Sequence, residues 1–195
     1  LSALDPAFQE EIRELLKSLH QELKITFVMV SHNFPEVLYL AGSGAIIHQG
    51  KIVQQGKIQH IFHHPNSCFV ANFVGIKNVF PARINANKAF TNGVEIKLSP
   101  ESGRQNHNYL SIRPEEIILL SPDRARDNSV DNVFTGYITG ISCQGFYFNV
   151  FVDVQGVKFQ AIWSQKDMAD QGLNQGSKVT IGFRSKAVHT FRDKG

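Results

Sequence analysis

The group in this chain best placed for chemistry is a histidine at the end of an apolar run. Ile25-Thr26-Phe27-Val28-Met29-Val30 leads directly into Ser31-His32-Asn33. Strand ends in an open α/β sheet are where ligands sit, so a histidine there faces a crevice. Alone, Val30-Ser31-His32 is a weak signal, because many histidines after strands are ordinary loop residues. Five further histidines, His20, His48, His60, His63 and His64, raise the question of a metal. His60 and His64 stand one helical turn apart, a spacing two ligands can use. Neither has a cysteine or acid close by, and a solvated helix end before Pro65 accounts for them, so no metal is expected. Cys68 and Cys143 lie far apart without metal-type spacing and read as small buried apolar groups in a reducing compartment. Arg113 and Glu115 flank Pro114, which reads as a turn held by a charge pair, with a regulatory ligand contact as the alternative.

The elements that position His32 follow from periodicity. Residues 6–24 carry Phe8, Ile12, Leu15, Leu16, Leu19 and Leu23 on one helical face, with Gln9, Glu10, Arg13, Glu14 and Lys17 opposite. Asp5-Pro6 supplies an N-cap and a proline suited to the first turn. The run 25–30 is apolar at nearly every position, which predicts a strand buried on both faces, as in a parallel sheet covered by helices. Phe34–Ala41 reads as a short helix, with Asn33 as cap and Glu36 completing a capping box. Gln49-Gly50 joins two β-like runs as a hairpin, and short helical pieces follow near 57–63 and 67–74.

From Asn78 onward the pattern changes to short β-branched and aromatic runs punctuated by Gly, Asn and Pro. Residues 146–154 alternate apolar with polar, residues 157–163 and 178–184 read as further strands, and 165–171 as one short helix. A faint repeat is present: Asn78-Val79-Phe80-Pro81-Ala82-Arg83-Ile84 echoes Asn132-Val133-Phe134-Thr135-Gly136-Tyr137-Ile138, and Ile112–Ile117 echoes Phe183–Val188. Two related small β-barrels would explain it.

Composition narrows the function classes. At 42% apolar, 195 residues can hold one large or two small cores. Twenty basic against 17 acidic residues give +3, too mild a balance to argue for nucleic acid or a membrane surface. No apolar run approaches the roughly 18–20 residues of a membrane span, and no signal-peptide pattern is present, so a soluble intracellular protein is expected. No G-x-x-x-x-G-K-[ST] phosphate loop occurs anywhere. The first residue is Leu1 rather than Met, in what reads as a loop, and a piece of a longer protein is expected.

Ser2-Ala3-Leu4-Asp5 before a helix, Val30-Ser31-His32 after an apolar run, and Gly50–Gly56 beyond it occur together in an order that resembles the ABC-transporter ATPase family. The resemblance makes residues 1–5 the D-loop and His32 the switch histidine. Asn33 departs from the acidic residue usual after that histidine, a mild change because Asn also caps a helix. The implied fold is an α/β remnant of a P-loop ATPase domain over 1–77, with Walker A, signature and Walker B lacking. An all-β OB-type (TOBE) domain of one or two small barrels follows over 78–195, with half-repeats 78–128 and 129–195.

The resemblance implies ATP and Mg as cofactors of the intact protein, none for this piece alone, with Ser2 and His32 at the nucleotide and Asp5 coupling two sites across a dimer. A histidine donating to a γ-phosphate makes a charge-assisted contact worth about 1.5–3 kcal/mol, roughly 10–100-fold in rate when made in the transition state. Expected partners are a second copy, transmembrane permease subunits and a solute-binding protein, at the cytoplasmic face of the membrane.

Ser111–Leu119 resembles the I-R-P-E-x-[IL] motif of TOBE domains. Ser129–Gly136 and Phe183–His189 resemble the opening and closing segments of small molybdate-binding domains. By that resemblance Ser129, Asn132, Arg184, Ser185 and Lys186 would meet a tetrahedral oxyanion, which needs N–H, hydroxyl and cationic donors. A molybdate- or tungstate-type solute is the expectation. Asp131 stands where Arg is usual and Arg184 where Lys is usual, which weighs against oxyanion binding by this domain. An autonomous oxyanion-binding module, or an importer of sugar or polyamine, is the alternative. Nucleic-acid binding is not expected, since Phe146, Phe148 and Phe151 fall in alternating strands and read as core.

Overall fold

A computed structural model describes residues 5–102, 106–120 and 130–193. The chain divides into two compact units, Leu1–His63 and His64–Gly195.

In the first unit, α1 (Pro6–Leu23) begins where Asp5 Oδ1 accepts the Phe8 amide at 3.0 Å, and ends at Lys24 in the left-handed region. A short helix α2 (Phe34–Leu40), an antiparallel hairpin β1 (Ser43–His48) with β2 (Lys51–Lys57), and α3 (Ile58–His63) complete it. These elements fall within two residues of where the local patterns put them.

Residues 25–30 depart from expectation. They form no strand, and Val28 and Val30 are 94% and 101% exposed. A strand buried on both faces needs neighbours on both edges and layers above and below. Among the described residues the first unit's sheet is the β1–β2 hairpin alone, and neither strand pairs with this segment.

In the second unit, α4 (Cys68–Phe73) precedes an antiparallel β system. Its strands are β3 (Asn78–Pro81), β4 (Arg83–Asn85), β5 (Lys88–Thr91), β6 (Val94–Lys97), β7 (Tyr109–Ile112), β8 (Ile118–Leu120), β9 (Asn132–Cys143), β10 (Tyr147–Val154), β11 (Val157–Ser164), β12 (Lys178–Phe183) and β13 (Val188–Phe191). A helix, α5 (Gln165–Asp170), lies between β11 and β12. Among the described residues the strands of this unit form three sheets, ordered β11-β10-β9-β12-β8, β13-β7-β3 and β4-β5-β6. The pairing crosses between the first and second stretches of strands: β8 pairs with β12, and β13 with β7.

Two buried asparagines reinforce that crossing. Asn78 Oδ1 accepts the Gln160 amide at 2.6 Å while its Nδ2 donates to Gln160 O and Ile112 O. Asn132 Oδ1 accepts the Lys97 amide at 2.7 Å and its Nδ2 donates to Lys97 O. Each side-chain amide thus plays the part of a strand for a backbone that would otherwise lack a partner.

The alternating residues of β9–β12 converge on one core. Phe159 is fully buried, with the rings of Phe80, Phe134 and Phe183 at 5.3, 6.3 and 6.0 Å. Trp163 Nε1 donates to Ile117 O at 3.0 Å, which satisfies its one polar group. β9 passes so close to β10 that a Cβ at Gly136 would lie 2.3 Å from Asp153 O, so no side chain fits there.

Several expectations need correction. Phe146 lies outside β10 and is 95% exposed, and Phe151 faces outward, whereas Phe148 packs against the core. Strand alternation decides this: Phe151 shares the outer face with Asn149 and Asp153. Cys143 is exposed and Cys68 only partly buried. Burial and the nearby Asp193 carboxylate push the Cys68 thiol up to about 12. α3 ends at His63, so His64 is not on the same helix as His60.

Candidate functional site

His32 stands in a loop whose backbone is pinned on both sides. The Ser31 hydroxyl accepts the Asn33 amide at 3.0 Å and donates to Glu36 Oε2 at 2.7 Å. Asn33 Oδ1 accepts the Glu36 amide at 3.2 Å, capping α2. The expected capping box is therefore rerouted. Glu36 does not return to the Asn33 amide but reaches back to Ser31, which takes that amide instead. His32 itself is exposed, and Ser31, His32, Asn33 and Glu36 all line a cavity of about 880 Å³ with Leu16 and His20.

Of the other residues singled out in the first unit, Asp5 holds its carboxylate on the Phe8 amide and does not line that cavity. Ser2 lies outside the described residues.

The second unit carries two arginine-led turns of matching sequence position. Arg113 precedes the 3-10 turn Pro114–Glu116, and its Nε lies 2.5 Å from Glu115 Oε1. Arg184 precedes the 3-10 turn Ser185–Ala187, in which Lys186 is exposed. At this second turn an acid distant in sequence takes part. Asp131 Oδ2 accepts the Ser185 amide at 2.8 Å and the Ser185 hydroxyl at 2.7 Å. The amide, then the hydroxyl, with Lys97 and Arg184 adding their charge, hold the Asp131 carboxyl below its ordinary range.

Two of the five residues inferred for an oxyanion thus have donors engaged inside the molecule. Ser185 gives both donors to Asp131, and Asn132 gives its amide to Lys97. Ser129 lies outside the described residues. The Asp131–Ser185 pair spans 54 residues, and no sequence signal marks it.

A pair of histidines also meets in this unit. His189 Nε2 lies 2.9 Å from Pro65 O, and since a carbonyl only accepts, that nitrogen carries the proton. Its Nδ1 lies 3.4 Å from His64 Nδ1. Among the described residues no group of three or more His, Cys, Asp or Glu side chains is placed to hold a metal ion. None of the described helices is long and apolar enough to cross a membrane.

The TOBE domain family matches residues 110–191. The spermidine/putrescine import ATP-binding protein PotA of Ureaplasma parvum is 33% identical over 197 residues, covering 98% of this chain and 35% of its own length. The molybdate/tungstate import ATP-binding protein WtpC of Pyrococcus abyssi is 28% identical over 188 residues, covering 96% of this chain and 54% of its own. The chain therefore spans between 35% and 54% of the length of these two relatives. The cytoplasmic molybdate-binding protein ModG, solved with molybdate bound, superposes with a TM-score of 0.53 at 16% identity. That match covers 60% of this chain and 97% of ModG, and it is a likeness of fold.

Proposed function

We propose that this chain is the carboxy-terminal portion of a subunit coupling ATP hydrolysis to solute import, a reading supported by the TOBE match and by its similarity to import ATP-binding proteins. The observation that carries the proposal is similarity running through both units, over 96–98% of the chain, to two import ATP-binding proteins. Residues up to 77 are read as the end of a P-loop ATPase domain. The exposed run Ile25–Val30 supports this, because it has the composition of a buried central strand and no strand pairs with it among the described residues.

In this reading His32 donates to the γ-phosphate of ATP, Ser2 lies near the nucleotide, and Asp5 meets the second copy of a dimer. Walker A, signature and Walker B segments of the intact subunit would hold ATP and Mg, so residues 1–195 alone would not hydrolyse it. The subunit would work at the cytoplasmic face of the membrane, with permease subunits and a solute-binding protein. The β-rich unit would serve dimerisation or regulation.

The solute remains a choice between two classes. A molybdate- or tungstate-type oxyanion has the support of the Pyrococcus relative. A polyamine is favoured by the Ureaplasma relative and by Asp131, whose carboxylate already holds both Ser185 donors. The test is ATPase turnover of the full-length subunit with its permease, stimulated in parallel by spermidine-loaded and molybdate-loaded binding protein. His32→Ala should lower turnover roughly 10–100-fold. Unchanged turnover would remove His32 from the mechanism.

A further inference from the structure

Glu36 is the one acid or base among the described residues whose side chain is buried, at 7% exposure. Burying a carboxylate is unfavourable unless it is well hydrogen-bonded. Helix capping does not require it, because Asn33 already caps α2 through the Glu36 amide. What the carboxylate does instead is accept the Ser31 hydroxyl at 2.7 Å. That bond orients the hydroxyl so that its lone pair receives the Asn33 amide at 3.0 Å. The residues before and after His32 are therefore tied to one another and to α2, while the histidine between them stays exposed on the cavity wall.

We propose that Glu36 is a positioning residue for His32, acting through Ser31. Without the carboxylate the Ser31 hydroxyl is free to rotate, the Asn33 amide loses its oriented acceptor, and the backbone carrying the imidazole gains freedom. A misplaced donor weakens a contact made in the transition state, while ATP is still bound by other parts of the subunit. The inference rests on the reading of His32 as the γ-phosphate donor, and its test separates the two.

The experiment is steady-state ATPase kinetics of the full-length subunit with its permease. Glu36→Ala should lower kcat about tenfold with KM for ATP within about twofold. Glu36→Gln, whose amide oxygen still accepts from Ser31, should recover most of that loss. Ser31→Ala, which removes the hydroxyl without emptying the buried carboxylate position, should reproduce the kcat loss even where Glu36→Ala fails to fold. If His32→Ala is silent, the reading of His32 fails first. If His32→Ala is defective while Glu36→Ala or Ser31→Ala keeps full kcat, the positioning role is overturned. Equal defects in Glu36→Ala and Glu36→Gln also overturn it, since the charge rather than the hydrogen bond would then matter.

Discussion

The two units use apolar residues in opposite ways. In the β-rich unit Phe159, Ile138, Val150, Val152 and Ile181 are all buried in one core, and each strand's inward face finds another sheet or strand to cover it. Up to His63, Ile46, Ile58 and Ile61 are the buried apolar side chains among the described residues. Phe8, Leu15 and Leu23 of α1 are exposed, as are Ile25, Phe27, Val28 and Val30 after it. Both units have well-patterned sequences. Only one has within the described residues the surfaces its pattern calls for.

Core truncations should expose that difference most strongly. Phe159→Ala removes a fully buried ring touching three others, and should cost about 3–5 kcal/mol. Val30→Ala removes an exposed side chain, and should move stability by no more than about 0.5 kcal/mol. Urea unfolding of the 195-residue chain, read by Trp163 fluorescence for the β-rich unit, tests the first. Circular dichroism of the helical signal tests the second. A Val30→Ala loss comparable to that of Phe159→Ala would mean the apolar run is covered in solution.

How much was legible in the sequence follows from the same contrast. The helices, the hairpin and β10–β12 are specified by neighbours three or four residues apart, or by alternation, and these signals are local. The run 25–30 carries an equally clear signal, but a both-faces-buried strand is defined by partners, and none pairs with it among the described residues. His32 stands out by composition and order, whereas its frame does not: Glu36 reads as a capping-box acid until its bond to Ser31 is seen. Asp131 reads as an acid in an anion-binding position. It is instead the acceptor for Ser185, a contact between the start of β9 and the turn before β13.

Smaller effects should come from the buried asparagines of the β-rich unit. Asn78 makes three hydrogen bonds to backbone and Asn132 two, all of them to strands rather than to solvent-facing loops. Leaving a buried backbone group unpaired costs about 1–3 kcal/mol. Asn78→Ala should therefore lower the unfolding free energy more than Asn132→Ala, and both more than Asn33→Ala, whose exposed cap contributes about 1 kcal/mol. The reverse order would show that the crossed pairing of β8 with β12 and β13 with β7 holds without the clamps.

The smallest expected effect is a dependence on pH confined to the β-rich unit. Asp131 is held by Ser185 in the folded chain below the roughly 3.9 of a free aspartate. A depressed folded value means that the unfolded chain takes up the proton first as pH falls. The contribution of Asp131 is then fully present above about pH 4 and is lost as pH drops through the folded value. Because the carboxylate is exposed, solvent and salt screen it and the effect stays modest. Asp131→Asn keeps an acceptor for the Ser185 amide but removes the charge. Its urea midpoint for the β-rich unit should lie slightly below that of the unaltered chain at pH 7 and converge on it as pH falls through the folded value, the gap being wider at low salt. A gap that stays constant across this range would assign the role of Asp131 to hydrogen-bond geometry alone, with its charge, and the nearby Lys97 and Arg184, adding nothing to the fold.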